Sequence, residues 1–501
     1  MDVLLWDEAI YLDRGFLLWK IIPNTWGPIY SVWYKLLSYI EQNKIALYYL
    51  NYKVLYLLST VLIYLFMVAL RTPKTVAFFF ACIWLSHPSN LPSWPKISHF
   101  AICIIFFTAI FIQYIENNLN KAFIFSIALL ICGFARPELY LSFIFSFFFL
   151  IFLIIRHRKI LNKINFVSAA IWLIFVAFTY KLYRTPLTNG DAQRGLGVFI
   201  QHFALNYSIW NKQDILWWFD FQDTVNKCFQ PPYTLTHLAE NSFFWKHIFF
   251  NLKLFCTKTF SLISGLFLPF YFLKKVLFFI ASCIILIYIL IKNKNSFSLF
   301  FRNIKEQKLL FILLIIATAP SMLSAIYAHP RTHYLIMFLP MMFFLIAALF
   351  SSSTQNNFKQ ILFIFFVFAV LTPSSKDFKY FDLYGTNKNM MNKKTIHYIE
   401  DKYGKDTTLI LDIDGLLPSL MNQNFRYCNI RPLVTDQKVL ISDIIQDEQP
   451  DVIYITPTIL KLRKNKTDTI FHQLLSTPEI FHYKKDNIPD LADVYLLVKE
   501  Q

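Results

Sequence analysis

An acidic pair lies near the start of the chain, where residues 4–11 read LLWDEAIY. Asp7 and Glu8 are carboxylates, and a carboxylate held next to a hydroxyl or an amine can accept its proton as a general base. The sequence around the pair is mostly apolar, with 56% hydrophobic residues and a mean hydropathy of +0.45. The pair is therefore a candidate for chemistry, although an acidic pair near a terminus is also commonly just solvated.

Basic and imidazole side chains that could complement the acidic pair occur in three short polar segments, HPSNLPSWPK (87–96), RPE (136–138) and AHPRTHY (328–334). An arginine guanidinium can bind two phosphate oxygens at once, whereas a lysine acts as a point charge. A second interpretation of RPE is a turn in which the arginine pairs with the glutamate, and histidines near a membrane boundary are often only interfacial. The candidates in these segments are Lys96, Arg136, Glu138, His329, Arg331 and His333.

The elements that must position these residues are apolar segments. With 55 Phe and only 16% charged residues in 501, the chain cannot bury its apolar side chains in soluble cores, so a bilayer must surround much of it. Crossing a hydrocarbon slab takes about 20 apolar residues. Segment 254–271 contains a lysine and a glycine, which favours an interfacial helix. The sequence predicts a polytopic α-helical membrane protein with about ten spans, near 45–70, 75–91, 97–115, 120–135, 138–155, 164–183, 272–292, 308–328, 332–350 and 358–374.

The orientation follows from the basic residues of the short loops. One alternate set of loops holds thirteen Lys and Arg residues and the opposite set holds three, and the richer set is expected in the cytoplasm. The loops 1–44 and 184–253 then face outward, together with all three polar segments. The net charge of +17 comes from basic residues that lie mainly in the short gaps between apolar segments, where positive charge marks the cytoplasmic side, and this distribution argues against nucleic acid as a partner. The abundance of Phe, Ile, Lys and Asn is typical of an AT-rich bacterial genome. For a bacterial protein with helical spans we expect the cytoplasmic (inner) membrane.

The region 376–501 differs from the rest. TTLILDID, DVIYITP and DVYLLV predict buried strands, and VLISDIIQ and TDTIFHQLLS predict helices between them. We therefore divide the chain into a membrane domain, 1–375, and a small extracytoplasmic α/β domain, 376–501. Asp412 and Asp414 form a D-x-D-G motif, but the threonine that a phosphatase motif would have after the glycine is absent. We interpret the motif as a strand end followed by a turn.

Taken in order, the outward WDEAIY loop, GFARPELYLSF, AHPRTHYLIMFLP and the final α/β domain resemble the GT-C superfamily of membrane glycosyltransferases. The similarity is greatest to the bacterial branch related to protein O-mannosyltransferases and aminoarabinose transferase. The resemblance implies transfer of a hexose or pentose from a polyprenyl-phosphate donor to a lipid or glycan acceptor on the extracytoplasmic side, in lipopolysaccharide or other cell-envelope biosynthesis.

The resemblance also implies roles for individual residues. It places Asp7 in the catalytic position with Glu8 beside it, and it places Arg331 and Lys96 at the donor phosphate. The remaining candidates would form the wall of the site, namely Arg136, Glu138, His329 and His333. A membrane helix usually precedes the acidic loop in this family, so we expect either a coding start further upstream or a truncated copy.

Several points stay open at the level of sequence. The seven cysteines show no spacing typical of a metal cage, and the need for a divalent metal is undecided. An O-antigen-type polysaccharide polymerase or ligase is an alternative function, and it predicts essential arginines at Arg184 and Arg194. A non-catalytic membrane transporter is another alternative, and it predicts an inverted repeat and ionisable residues near the span centres.

Overall fold

The structure is a computed structural model, and its description covers sixteen ranges of the chain. These ranges are 7–18, 27–87, 89–90, 96–156, 163–183, 191–212, 221–229, 235–267, 294–351, 391–403, 409–412, 417–422, 426–429, 440–461, 468–491 and 494–500.

Helices dominate the first 350 residues. They are α1 (Asp7–Phe16), α2 (Pro28–Ser38), α3 (Lys44–Ala69), α4 (Lys74–Ser86), α5 (Ile97–Phe111), α6 (Asn118–Ala135), α7 (Glu138–Arg156), α8 (Lys163–Tyr183), α9 (Asp191–Asn211), α10 (Phe221–Asn226), α11 (Leu235–Ala239), α12 (Ser242–Phe267), α13 (Lys294–Glu306), α14 (Lys308–Tyr327), α15 (Thr332–Leu335) and α16 (Leu339–Phe350). Short 3-10 turns, Ile112–Tyr114 and Ile336–Phe338, extend α5 and join α15 to α16.

Within the described ranges, seven helical stretches are long and apolar enough to cross a membrane. They are α3, Ile97–Tyr114, α6, Pro137–Arg156, Phe166–Tyr183, α14 and His333–Phe350. These seven coincide with seven of the ten predicted spans, so the predicted helical architecture is confirmed for them, and their length and composition indicate a membrane protein. Exposed apolar side chains such as Phe166 and Ile174 on α8 fit contact with lipid tails better than contact with water.

Four parts of the span prediction have other outcomes. The predicted span 75–91 is the shorter apolar helix α4, and the predicted spans 272–292 and 358–374 lie outside the described residues. The predicted interfacial helix 254–271 is the second half of α12, which begins at Ser242. The segment 184–253 was described from sequence as a loop, but its described part is helical, from α9 into α12.

Local sequence signals explain where several of these helices begin and pack. Asn43 precedes α3, and its side chain accepts a hydrogen bond from the backbone N–H of Ala46 at 2.9 Å. Asn117 caps α6 in the same way. These caps satisfy backbone donors that a helix leaves open in its first turn. Gly133 lets α6 approach α7 closely, since a Cβ there would lie 2.9 Å from the Cα of Tyr140.

The C-terminal region contains a five-stranded sheet and four helices within its described residues. The elements are α17 (Met391–Tyr403), β1 (Leu409–Asp412), β2 (Arg426–Asn429), α18 (Ile441–Glu448), β3 (Val452–Ile455), α19 (Pro457–Lys461), α20 (Thr469–Ser476), β4 (Tyr483–Asn487) and β5 (Tyr495–Lys499). The strand order is β2-β1-β3-β5-β4, with β1 parallel to both neighbours and β5 antiparallel to β3 and β4. The three predicted strands and two predicted helices are confirmed, and the predicted domain boundary near 375 lies outside the described residues.

The sheet region packs directly on the N-terminal helices. Leu417, Leu420 and Met421 share one apolar cluster with Ala9 and Leu12 of α1. The start of α3 also contacts this region, because the backbone N–H of Lys44 donates to Asn422 Oδ1 at 2.8 Å. The C-terminal region therefore lies at the same end of the membrane helices as the acidic pair.

Candidate functional site

The Glu8 carboxylate lies in a closed cage of hydrogen-bond donors, with only 2% of the residue exposed. Its Oε1 accepts from the hydroxyls of Tyr30 and Tyr34, each at 2.5 Å, and from Asn51 Nδ2 at 2.9 Å. Its Oε2 accepts from the backbone N–H of Lys96 at 3.0 Å. Burial raises the pKa of Glu8, and the donors and the nearby Lys96 ammonium oppose that rise. The cage joins α1, α2, α3 and the segment before α5 through one side chain.

The local sequence explains how the cage forms. Tyr30 and Tyr34 are four residues apart on α2, so their rings project from the same face of the helix. Burial first, and then the neighbouring Glu8, raise the pKa of both tyrosines, so they stay protonated as hydroxyl donors. Gly27 begins α2 in the left-handed conformation, at φ 65°, close to Tyr11 of α1. A glycine adopts this conformation without the strain that a Cβ would add.

Asp7 is the first residue of α1 and differs from its neighbour in environment. Its side chain is only partly buried, whereas that of Glu8 is fully enclosed. Consecutive residues of a helix project about 100° apart, so the two carboxylates diverge. A carboxylate in the first helical turn is also favoured by the helix dipole. Of the predicted catalytic pair, Asp7 is the partly exposed member.

Lys96 was predicted at the donor phosphate, but the structure places its ammonium inside the fold. The residue is 1% exposed. Its Nζ donates to the backbone oxygen of Asn90 at 2.6 Å and lies 4.3 Å from the centroid of the Tyr52 ring. Burial lowers the pKa of Lys96 to about 7, against the opposing charge of Glu8. Lys96 thus completes the inner layer around Glu8.

Arg136, predicted in the site wall, joins three parts of the membrane domain. Its guanidinium forms an ion pair with Glu138, as the turn interpretation of RPE predicts. It also donates to Ser98 Oγ on α5 and, at 3.4 Å, to the backbone oxygen of His333. The guanidinium carbon lies 4.7 Å from the centroid of the Tyr334 ring. The RPE turn therefore connects two of the polar segments that sequence analysis assigned to one face.

His329 belongs to a polar network that involves α9 and α12. Its Nδ1 lies 3.1 Å from Asn206 Oδ1. The amide nitrogen of Asn206 donates to Asn251 Oδ1 at 2.8 Å and to His247 Nδ1 at 2.9 Å. His247 Nε2 in turn lies 3.0 Å from the backbone oxygen of Tyr327. The Asn251 amide nitrogen also lies 2.9 Å from His247 Nε2, so the Tyr327 carbonyl and the Asn251 amide share this ring nitrogen. The network fixes α9 and α12 against the end of α14.

Lys258 extends this network toward Arg331. Its Nζ donates to the backbone oxygen of Pro330 at 2.8 Å, which places the ammonium beside the AHPR segment. Burial and the charge of Arg331 lower the pKa of Lys258. Burial, followed by Lys258 and Arg331, lowers the pKa of His329 to about 3, and burial and Arg331 also lower that of His202. The charged neighbours that produce these shifts are all cationic, so this part of the site favours an anion. We call Lys258 and Arg331 the cationic cluster, and the lowered pKa values of His202 and His329 keep these two neighbouring imidazoles neutral.

Sequence analysis did not identify Lys258, His202 or the asparagines of this network. The signal was present, because His247, Asn251 and Lys258 are four and seven residues apart, a spacing that places polar groups on one helix face. His202 and the asparagines were missed because the segment up to 253 was interpreted as a loop, and Lys258 because the segment 254–271 was interpreted as an interfacial helix outside the site. Asp412 ends β1, as predicted, and its buried carboxylate accepts a hydrogen bond from the backbone N–H of Leu417 at 3.0 Å. Asp414 and the predicted turn lie outside the described residues.

Among the residues that the structure describes, His, Cys, Asp and Glu do not form a group of three or more that could hold a metal ion. No family model, curated protein or solved structure matches the chain. The site is therefore interpreted from its own geometry.

Proposed function

We propose that this protein is a membrane glycosyltransferase that transfers a sugar from a polyprenyl-phosphate donor to an acceptor at the extracytoplasmic surface. One observation carries the proposal: an accessible carboxylate, Asp7, and the cationic cluster lie at the same end of a set of membrane helices. Contacts between Glu8 and Lys96, and between Arg136 and His333, tie the intervening segments together.

A lipid-linked donor suits this arrangement. The seven apolar helices indicate a membrane setting, and the site lies at their ends, where a lipid tail can stay in the bilayer while its phosphate enters the polar region. The donor phosphate is an anion, and the cationic cluster provides one lysine and one arginine for it. Arginine and lysine beside a partly dehydrated phosphate give charge-assisted hydrogen bonds, which are the stronger class.

The proposed reaction assigns one role to each group. The Asp7 carboxylate accepts the proton of an acceptor hydroxyl or amine, and the acceptor atom forms a bond to the anomeric carbon. The bond from that carbon to the phosphate oxygen breaks, and its electron pair stays on the phosphate. Arg331 and Lys258 stabilise the negative charge that develops there. The polyprenyl phosphate then leaves through the bilayer.

The first test compares two aspartates of the same helix. Membranes that contain the wild-type protein, Asp7→Asn or Asp13→Asn are supplied with polyprenyl phosphate carrying a radiolabelled hexose or pentose, and transfer to membrane acceptors is counted. Asp13 is a matched control, because it lies on α1 and forms a partly exposed ion pair with Lys44 at 3.2 Å.

We expect Asp7→Asn to lower the transfer rate at least about 100-fold, since general-base catalysis contributes roughly 10²–10⁴-fold. Asp13→Asn should stay within about twofold of wild type, because an exposed ion pair contributes little. Equal rates for wild type and Asp7→Asn would remove this carboxylate from the reaction. Absence of transfer by the wild-type protein with either sugar class would contradict the proposed function.

The cationic cluster is tested separately with Arg331→Lys. The substitution keeps the charge but removes the two-point match to phosphate, so we expect the KM for the donor to rise about tenfold. Arg302→Lys is the control, because Arg302 is exposed and forms an ion pair with Glu306 on α13. An unchanged donor KM in Arg331→Lys would place the phosphate elsewhere.

A further inference from the structure

The two adjacent carboxylates have different roles at this site. We propose that Glu8 is a positioning residue that fixes α1, and with it Asp7, rather than a second catalytic base; this inference rests on the proposed function. Its basis is the cage around Glu8, together with two further contacts that hold the same short helix.

The cage uses both oxygens of the Glu8 carboxylate. Oε1 accepts from Tyr30, Tyr34 and Asn51, Oε2 accepts from the Lys96 backbone N–H, and the residue is only 2% exposed. Asn51 Nδ2 also lies 2.8 Å from both tyrosine hydroxyls, so its two N–H hydrogens are shared among Glu8 and these hydroxyls. A substrate proton could reach Glu8 only after this arrangement opened.

A second contact holds the other end of α1. Gly15 lies seven residues after Glu8, which places both on the same face of the helix. A Cβ on Gly15 would lie 2.7 Å from Tyr34 Cβ and 3.0 Å from the backbone oxygen of Ser31. The backbones of α1 and α2 are therefore almost in contact at this point. Glu8 fixes the start of α1 against α2, and Gly15 fixes its end.

The C-terminal region provides the third contact. Ala9 and Leu12 of α1 are fully buried in the apolar cluster that includes Leu417 and Leu420. The helix has only ten residues, and a helix of that length is marginal by itself, so tertiary contacts must decide where it lies. Because Asp7 is the residue next to the cage, any rotation of α1 that follows loss of Glu8 also displaces Asp7.

The substitution Glu8→Gln tests this role while it keeps the shape of the side chain. The amide oxygen can still accept from the tyrosines, but the amide nitrogen then faces the Lys96 N–H, and two donors oppose each other. We expect kcat per folded molecule to fall about 10–100-fold, the range that a displacement of about 1 Å produces, with the donor KM unchanged within about twofold.

A core variant separates positioning from stability. Leu129→Ala removes buried side chain from α6 and should lower Tm without changing kcat per folded molecule, since Leu129 and the tyrosines of the cage belong to different buried clusters. Glu8→Gln should lower kcat even when each protein is assayed the same number of degrees below its own Tm. If Glu8→Gln and Leu129→Ala behave alike, Glu8 contributes stability alone and the proposal is wrong.

A second measurement does not depend on sugar transfer. Hydrogen exchange of the α1 amides, measured by mass spectrometry on the full-length protein in detergent, should accelerate about tenfold or more in Glu8→Gln, whereas α6 should exchange as in wild type. Unchanged exchange in α1 would overturn the positioning role, whether or not transfer is detected. Loss of transfer as complete as in Asp7→Asn, with α1 exchange unchanged, would instead assign Glu8 to the chemistry. If the wild-type protein transfers no sugar, the proposed function fails, and exchange in α1 still decides how Glu8 acts on the helix.

Discussion

Gly27 lies where the N-terminal helices meet the membrane helices. Its backbone has φ 65° and ψ 56°, in the left-handed region. A Cβ added there would lie 2.8 Å from the backbone oxygen of Ala135, 2.9 Å from Ile97 Cδ1 and 3.0 Å from Tyr11 Cε1. The substitution Gly27→Ala therefore meets a strained conformation and three neighbours at once.

The magnitude follows from these two effects. An alanine in the left-handed conformation costs about 1–2 kcal/mol. Forcing extra volume into a packed site costs typically about 1–3 kcal/mol more. The nearest atom is a backbone oxygen at the end of α6, and moving it would shift the turn that carries Arg136. We therefore expect Gly27→Ala to lower the free energy of unfolding by about 2–5 kcal/mol, the sum of the two ranges.

Thermal unfolding in detergent, followed by tryptophan fluorescence, measures this loss. Gly197→Ala is the matched control, because nothing lies within 4 Å of its added Cβ and alanine is favoured in a helix by about 1 kcal/mol. Gly15→Ala meets Tyr34 Cβ at 2.7 Å without a positive φ and isolates the effect of overlap. A Gly27→Ala protein that melts with wild type would refute the reasoning, as would an equal drop in Gly197→Ala.

Three further predictions concern the polar contacts. The pKa of Lys96 is about 7 in the folded chain and 10.5 in the unfolded chain, so between these two pH values the unfolded chain holds one more proton than the folded chain. The free energy of unfolding should therefore rise with pH in this range by up to about 1.4 kcal/mol per pH unit. Lys96→Met should flatten the pH dependence of Tm between pH 7 and 9. Arg136→Met should cost about 3–5 kcal/mol by leaving Glu138 unpaired, and a double-mutant cycle with Glu138→Met should recover part of the lost Tm. Asn251→Leu should lower the free energy of unfolding by about 1–3 kcal/mol for each buried hydrogen-bond partner that is left unpaired. Asn211→Leu should leave Tm unchanged, because Asn211 is exposed.

The grouping of the polar segments at one end of the helices could be predicted from sequence. Alternating apolar spans leave each loop on a determined side, and the contacts between Glu8 and Lys96 and between Arg136 and His333 agree with that grouping. The buried strands of the C-terminal region could also be predicted from sequence, because β1 and β3 are continuous apolar segments. Edge strand β4 was missed because its sequence, YKKDN, is mostly polar and exposed.

The separate environments of Asp7 and Glu8 could not be predicted. Which of two adjacent carboxylates is buried depends on tyrosines 22 and 26 residues further along the chain. No local pattern specifies that pairing. The cationic cluster could be predicted only in part, because Arg331 was a sequence candidate, whereas Lys258 lies in a segment that was interpreted as an interfacial helix outside the site.

The position of the acidic pair before the first described membrane helix has a physical reason in this fold. Burying a carboxylate is costly unless donors satisfy it, and the donors of Glu8 come from α2, α3 and the start of the segment that leads into α5. These groups converge on Glu8 only when α1 packs against α2 and the first turns of α3. A small displacement of α1 loses several hydrogen bonds together, so the helix has one favourable position instead of a range of them. Asp7, the first residue of α1, is consequently held at one place on the surface of the site.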